Sequence, residues 1–323
     1  MIELIKNKHV LFITTKNLSY IRNTQEIDII QQNSKSAHII GSNSNTYLIR
    51  LLCVFFRLLF TNCKKYDVVF IGFAPQLILP FFSIKFRHNT VIIDFFISIY
   101  DTFVNDRQKF RPRTFFSFIL HRWDEFTLLK ANLVICDTKA DKQYFQKEFH
   151  ANNIPMEVLY LKADNSIFYP MSVLPSDQPD KTFKVLYFGS ILPLQGIDII
   201  LSAFEQLKDV KNISLCIIGP LPKEKLLTQD NFKYISWLSQ KELALEIASA
   251  DLCLAGHFHP SIEKARRTIP GKAYIYEAMN KKMILGDNAA NHELFFPDEN
   301  HFFVSMGNSF ALANLILYIK TIS

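Results

Sequence analysis

Four basic side chains, a Pro-Gly pair and a carboxylate fall within fourteen residues of this chain. They run Lys264-Ala265-Arg266-Arg267-Thr268-Ile269-Pro270-Gly271-Lys272 and end at Glu277. A phosphate-bearing ligand suits such a set. The cations neutralise its oxyanions, and the free N–H groups of a helix opening at Pro270-Gly271 point the same way. Glu277, five residues beyond Lys272, has the chemistry to accept hydrogen bonds from neutral hydroxyls. Diphosphate at one end and polyol at the other is the outline of a sugar nucleotide.

Positioning these groups needs a scaffold of strands and helices. Short apolar runs at His9–Ile13, Ala37–Ile40, Asp67–Ile71, Thr90–Ile93, Leu133–Cys136 and Glu157–Leu161 predict one set of strands. A second set is predicted at Lys184–Phe188, Ser214–Ile218, Phe232–Ile235, Leu252–Ala255, Met283–Leu285 and Phe302–Val304. Their continuous rather than alternating hydrophobicity indicates parallel sheets covered on both faces, an α/β protein. Helix-length segments separate most of them: Ile197, Ile200, Leu201, Phe204 and Leu207 share one helical side, and Ser239 with Glu242 forms a capping box. The polar, proline-bearing stretch from Tyr169 to Lys181 reads as a linker, giving domains 1–174 and 175–323 with a ligand cleft expected between them.

In the second set, Val185 to Gly196 reads as strand, glycine turn and helix start. Gly189 lets backbone approach a ligand and Gly196 opens the next helix. Taken with Lys264-Ala265-Arg266-Arg267-Thr268-Ile269-Pro270-Gly271-Lys272 and with Asp287 to Leu294, residues 184–305 resemble the C-terminal domain of the retaining GT-B glycosyltransferases of family four, glycosyl transferases group 1. A looser resemblance in the first half rests on Asp94 to Thr102, Asp106-Arg107, Leu133 to Thr138 and Ile167 to Pro170.

The resemblance implies two Rossmann-like domains, the N-terminal one holding a saccharide or lipid-linked glycan acceptor and the C-terminal one a nucleotide-diphosphate sugar. It implies donor contacts from Gly189, Ser190, Lys264, Arg267, Lys272 and Glu277, with Arg267 and Lys272 stabilising the leaving diphosphate. Asp94 and Asp101 are its catalytic candidates, and Lys16, Asn17, Ser98, Asp101 and Arg107 its acceptor contacts. It further implies a metal-independent hexosyl transfer with retention, no cofactor, and a place in cell-surface polysaccharide synthesis. The chain departs from the family at Ser190 and Gln195, where an Arg and a Lys are usual, and the register of Glu277 is two residues short, so an ungapped match puts Ile275 in its place. A non-catalytic sugar-nucleotide-binding subunit and a nucleotide-sugar epimerase or hydrolase stay open beside the transferase.

Bulk properties narrow the partners. The 323 residues are 49% hydrophobic and 20% charged, which excludes a disordered chain. Five scattered cysteines without metal spacing suit a reduced, cytoplasmic protein. His257 and His259 flank Phe258 with no evident third ligand, so no metal site is expected. The apolar run Tyr47–Phe60 is too short to span a bilayer and reads as a core helix or an interfacial one, its two arginines on one face. Lys109 to Trp123 interleaves bases with aromatics. With thirty phenylalanines and a net charge of +6, this favours peripheral contact with an anionic membrane over nucleic acid.

Overall fold

The computed structural model describes residues 1–171 and 182–323. The chain forms two compact units, Met1–Lys162 and Ala163–Ser323. The boundary expected at 174/175 lies outside the described residues.

All twelve expected strands form, three with the expected ends and the rest with ends moved by at most three residues. The first unit contains β1 (His9–Ile13), β2 (Ser36–Ile40), β3 (Val68–Ile71), β4 (Thr90–Asp94), β5 (Leu133–Cys136) and β6 (Met156–Val158). They pair in parallel in the order β2-β1-β3-β4-β5-β6. The second unit contains β7 (Phe183–Phe188), β8 (Ile213–Ile218), β9 (Phe232–Ile235), β10 (Leu252–Gly256), β11 (Met283–Gly286) and β12 (His301–Val304). Their order is β12-β11-β10-β7-β8-β9, again all parallel. Every residue of β3, β5, β10 and β11 is buried, as strands covered on both faces must be.

Both sheets are doubly wound. In each, the strand order reverses beside the unit's first strand, at β1/β3 and at β7/β10. The gap outside the carboxyl ends of the strands at such a reversal is where this architecture receives ligands.

The first unit closes that end with a buried charge cluster. Arg22, on the Ile21–Asn33 helix, makes a two-pronged pair with Asp94 at the end of β4, both contacts at 2.9 Å. Its other nitrogen reaches Asp137 at 3.2 Å and donates to the Leu159 carbonyl, and Glu26 lies 3.8 Å away. Asp94 and Glu26 are fully buried. Burial, reinforced by the charge of Asp94, pushes the Glu26 carboxyl well above the usual carboxylate range. One guanidinium thus faces three carboxyl groups. Arg22→Met strips the cation from this cluster, and urea unfolding should show a loss of about 3–5 kcal/mol. A loss under about 1 kcal/mol contradicts the bracing role.

Candidate functional site

The second unit assembles its site at the β7/β10 reversal. The Gly271–Ala278 helix opens there, with Pro270 as its N-cap, and Lys272 in its first turn turns back under the strand ends. Its ammonium is 2.6 Å from Gln195 Oε1 and 4.3 Å from the centre of the Tyr187 ring. Lys272 is only 7% exposed, and among the described residues no carboxylate is paired with it. Burial therefore lowers its pKa from 10.5 to about 7. A neutral oxygen and an aromatic face hold the charge without cancelling it, an environment suited to an anion.

Glycines open the space above it. Gly189, just past β7, has φ +118°, and a side-chain carbon there would meet Lys272 Cε at 3.3 Å. Gly219, just past β8, has φ +145°, and a side chain on it would overlap the Gly189 carbonyl. Gly256 ends β10 at φ +84°, its own would-be side chain falling on Gln195 and near the Lys272 ammonium. Only residues without Cβ let three turns converge this closely. Gly196 (φ +68°) then caps the Ile197–Gln206 helix, whose N-terminus also lies at the carboxyl end of the sheet.

His257 follows Gly256 in the left-handed region (φ +60°), with its Nδ1 2.9 Å from the Thr268 carbonyl. Burial first and the Lys272 charge second lower its pKa to about 3, so it is neutral and donates from Nδ1. This bond ties the loop after β10 to the Glu263–Arg267 helix that carries Lys264 and Arg267. Lys264 is half-buried and its carbonyl accepts from Thr268, while Arg267 is half-buried at that helix's last position. Arg266 is exposed and donates to the Pro260 carbonyl. The structure therefore groups Gly189, Lys272 and Lys264 around the strand ends, puts Arg267 at the end of the adjoining helix, and leaves Ser190 on the exposed turn. His259 is engaged within its own turn, its Nδ1 accepting from the Ser261 amide.

Glu277 does not join them. It lies at the far end of the Gly271–Ala278 helix, 54% exposed, with its carboxylate 2.7 Å from His301 Nε2 at the start of β12. That is the amino end of the strands, opposite Lys272. Conversely, Gln195 and Tyr187, which hold Lys272, carried no sequence signal of their own. Gln195 reads from sequence as a lost cation rather than as a partner for one.

In the first unit, the residues expected to act on an acceptor are largely tied down. Asp94 is fully buried in the Arg22 pair, which makes it a brace instead of the catalytic carboxylate expected. Asp101 is 2% exposed, begins one turn of π-helix, and accepts from Asn105 at 2.9 Å. Ser98 donates to Asp124 at 2.7 Å, and burial pushes that aspartate up to about 6. Asn17 turns its side chain onto the Ser19 amide, and Arg107 is exposed. Lys16 alone faces an open surface of interest. Its ammonium lies 5.5 and 5.2 Å from the rings of Tyr20 and Phe73, which with Phe96 form a half-exposed aromatic trio at the β1/β3 reversal.

Two doubly wound parallel domains in one chain define the GT-B class of fold, and solved structures agree. Sucrose-phosphate synthase from Thermosynechococcus elongatus superposes with TM-score 0.70 at 14% identity, covering 97% of this chain and 90% of the other. HepE of Anabaena, in complex with UDP-glucose, gives 0.62 at 14% identity over 96% and 89%. A glycosyltransferase from Rickettsia africae gives 0.61 at 14% identity over 98% and 89%. More particularly, residues 182–320 match the family described as glycosyl transferases group 1. No curated protein matches the chain.

The Lys272 charge has a pH signature. Below pH 7 it is protonated in both folded and unfolded chains, and its burial costs stability in full. Between about 7 and 10.5 the unfolded chain binds a proton that the folded one does not, so stability rises with pH. At pH 6 Lys272→Met should be more stable than the wild type by about 1–4 kcal/mol. That advantage should shrink by up to about 1.4 kcal/mol per pH unit above 7. Urea titrations of both proteins from pH 6 to 9 check it; a pH-independent difference contradicts an uncompensated Lys272.

Proposed function

We propose that the protein is a glycosyltransferase that moves a hexose from a nucleoside-diphosphate sugar to a saccharide or lipid-linked glycan acceptor, with retention and without a metal ion. The observation that carries this reading is the buried, uncancelled ammonium of Lys272 at the β7/β10 reversal, framed by Gly189, Gly219 and Gly256. A diphosphate supplies the negative charge this position lacks and restores the proton that burial weakens. Lys264 and Arg267 add positive charge from the adjoining helix, and the amides opening the Gly271–Ala278 and Ile197–Gln206 helices add donors.

In this reading the bond from the anomeric carbon to the diphosphate oxygen breaks as an acceptor oxygen bonds to that carbon. Charge grows on the leaving diphosphate, and Lys272 stabilises that growth more than it stabilises the bound donor. The acceptor's proton passes to an oxygen of the leaving diphosphate, since Asp94 is withdrawn into the Arg22 pair. The group 1 family match over residues 182–320 supports the reaction class, and the UDP-glucose complex of the Anabaena neighbour supports the donor class. The Tyr20–Phe73–Phe96 trio supports a saccharide acceptor, because the C–H face of a pyranose lies well on aromatic rings. We place the reaction at the cytoplasmic side of a membrane, in the synthesis of a cell-surface polysaccharide.

Calorimetric titration with a panel of nucleoside-diphosphate sugars should give saturable binding to the wild type. Lys272→Ala should weaken it by about 30- to 1,000-fold, the cost of removing a buried charge partner. Transfer to a saccharide library should follow the same order. If the wild type binds no nucleoside diphosphate, the reading is wrong. Tight binding without turnover on any acceptor would instead establish a non-catalytic subunit, an outcome favoured by the neutral Ser190 and Gln195.

A further inference from the structure

Two helices of the first unit are apolar on their outward faces as well as on the side that packs against the core. On the Tyr47–Phe60 helix, Leu48, Leu52, Phe56, Leu59 and Phe60 are 60–77% exposed. Meanwhile Arg50 is buried, with its guanidinium on the Ser44 carbonyl at 2.5 Å, and Arg57 bonds the Gly41 carbonyl at 2.8 Å. The Phe115–Leu129 helix repeats this pattern. Phe115, Phe116 and Phe118 are 59–73% exposed while Asp124 and Glu125 face inward. Soluble surfaces rarely leave so many large side chains in water together.

The two faces are continuous. Phe81, itself 60% exposed on the Leu79–Phe82 turn, packs 5.6 Å from Phe55 on one helix and 5.6 Å from Trp123 on the other. Lys85 pins the end of the first helix through the Leu58 and Leu59 carbonyls. An apolar groove of about 650 Å³, lined by Ile39, Ile40, Phe56 and Phe60 among others, opens beside it along edge strand β2.

The charge around this face is one-sided. From Lys35 to Ile93 the chain has seven Lys and Arg and a single acid, Asp67. From Arg107 to Trp123 it has five Lys and Arg and none. Lys64, Lys65, Arg87, Arg111 and Arg113 are exposed. A second copy of the chain would set this basic rim against itself, whereas an anionic lipid surface complements it and accepts the aromatic side chains at its interface.

We propose that the joined outer faces of the Tyr47–Phe60 and Phe115–Leu129 helices form a docking surface for an anionic lipid bilayer. The proposal is independent of the sugar-nucleotide reading. Vesicle flotation of the full chain tests it, with phosphatidylcholine vesicles containing or lacking 30% phosphatidylglycerol. The wild type should float with the anionic vesicles and at least tenfold less with neutral ones. Leu52→Glu/Phe56→Glu, and separately Phe118→Glu, should each reduce flotation at least tenfold with an unchanged circular dichroism spectrum. Lys64→Glu/Lys65→Glu should reduce it and flatten its dependence on salt. A wild type that stays soluble on anionic vesicles overturns the proposal. So does flotation indifferent to these substitutions, or a dimer by light scattering that the Glu variants dissolve while wild-type flotation is absent.

Discussion

An ammonium group held out of water by a neutral amide oxygen and a ring governs the second unit's working end. The Lys272 side chain needs Gln195 in the turn before the Ile197–Gln206 helix, Tyr187 in β7, and bare backbone at Gly189 and Gly256. Each requirement fixes another element. The Gln195 carbonyl receives the Phe258 amide, and Gly196 lies so close to the Phe258–His259 backbone that no side chain fits. His257, kept neutral by burial and by the Lys272 charge, then ties this loop to the helix of Lys264 and Arg267. A buried charge without a carboxylate is unfavourable for an isolated fold, and so much surrounding structure devoted to holding it argues for a ligand of opposite sign.

The first unit handles its buried charge in the opposite way. Arg22 is saturated by Asp94 and Asp137, with the buried Glu26 carboxyl filling the remaining side. Full compensation gives rigidity and leaves nothing to attract a ligand. This contrast separates a compensated cation from an uncompensated one better than burial does, since Arg22 is the more buried of the two.

The fold was legible because central parallel strands covered on both faces are written as continuous apolar runs, as β3, β5, β10 and β11 are. The place of Lys272 in the first turn of a helix was legible because Pro270-Gly271 marks that helix start. The failures share a cause, which is that sequence spacing does not say which end of an element a side chain serves. Glu277 is close to Lys272 along the chain yet meets His301 at the opposite edge of the sheet. Asp94 follows a strand as a catalytic aspartate would, but its partner Arg22 lies 72 positions earlier, in a helix whose Arg22/Glu26 spacing resembles an ordinary solvent pair. The Tyr47–Phe60 helix was recognised to the residue, yet which side faces the core depended on carbonyls at Gly41, Ser44 and Asn45 that receive its arginines.

A lysine whose proton is held only up to about pH 7 is also a nucleophile at neutrality. Lys272 therefore samples the free amine near neutrality, beside the bare backbone of Gly189 and Gly256. An amine-directed reagent bearing a phosphate would thus be steered toward Lys272, which turns the electrostatic weakness of this position into a handle for covalent chemistry.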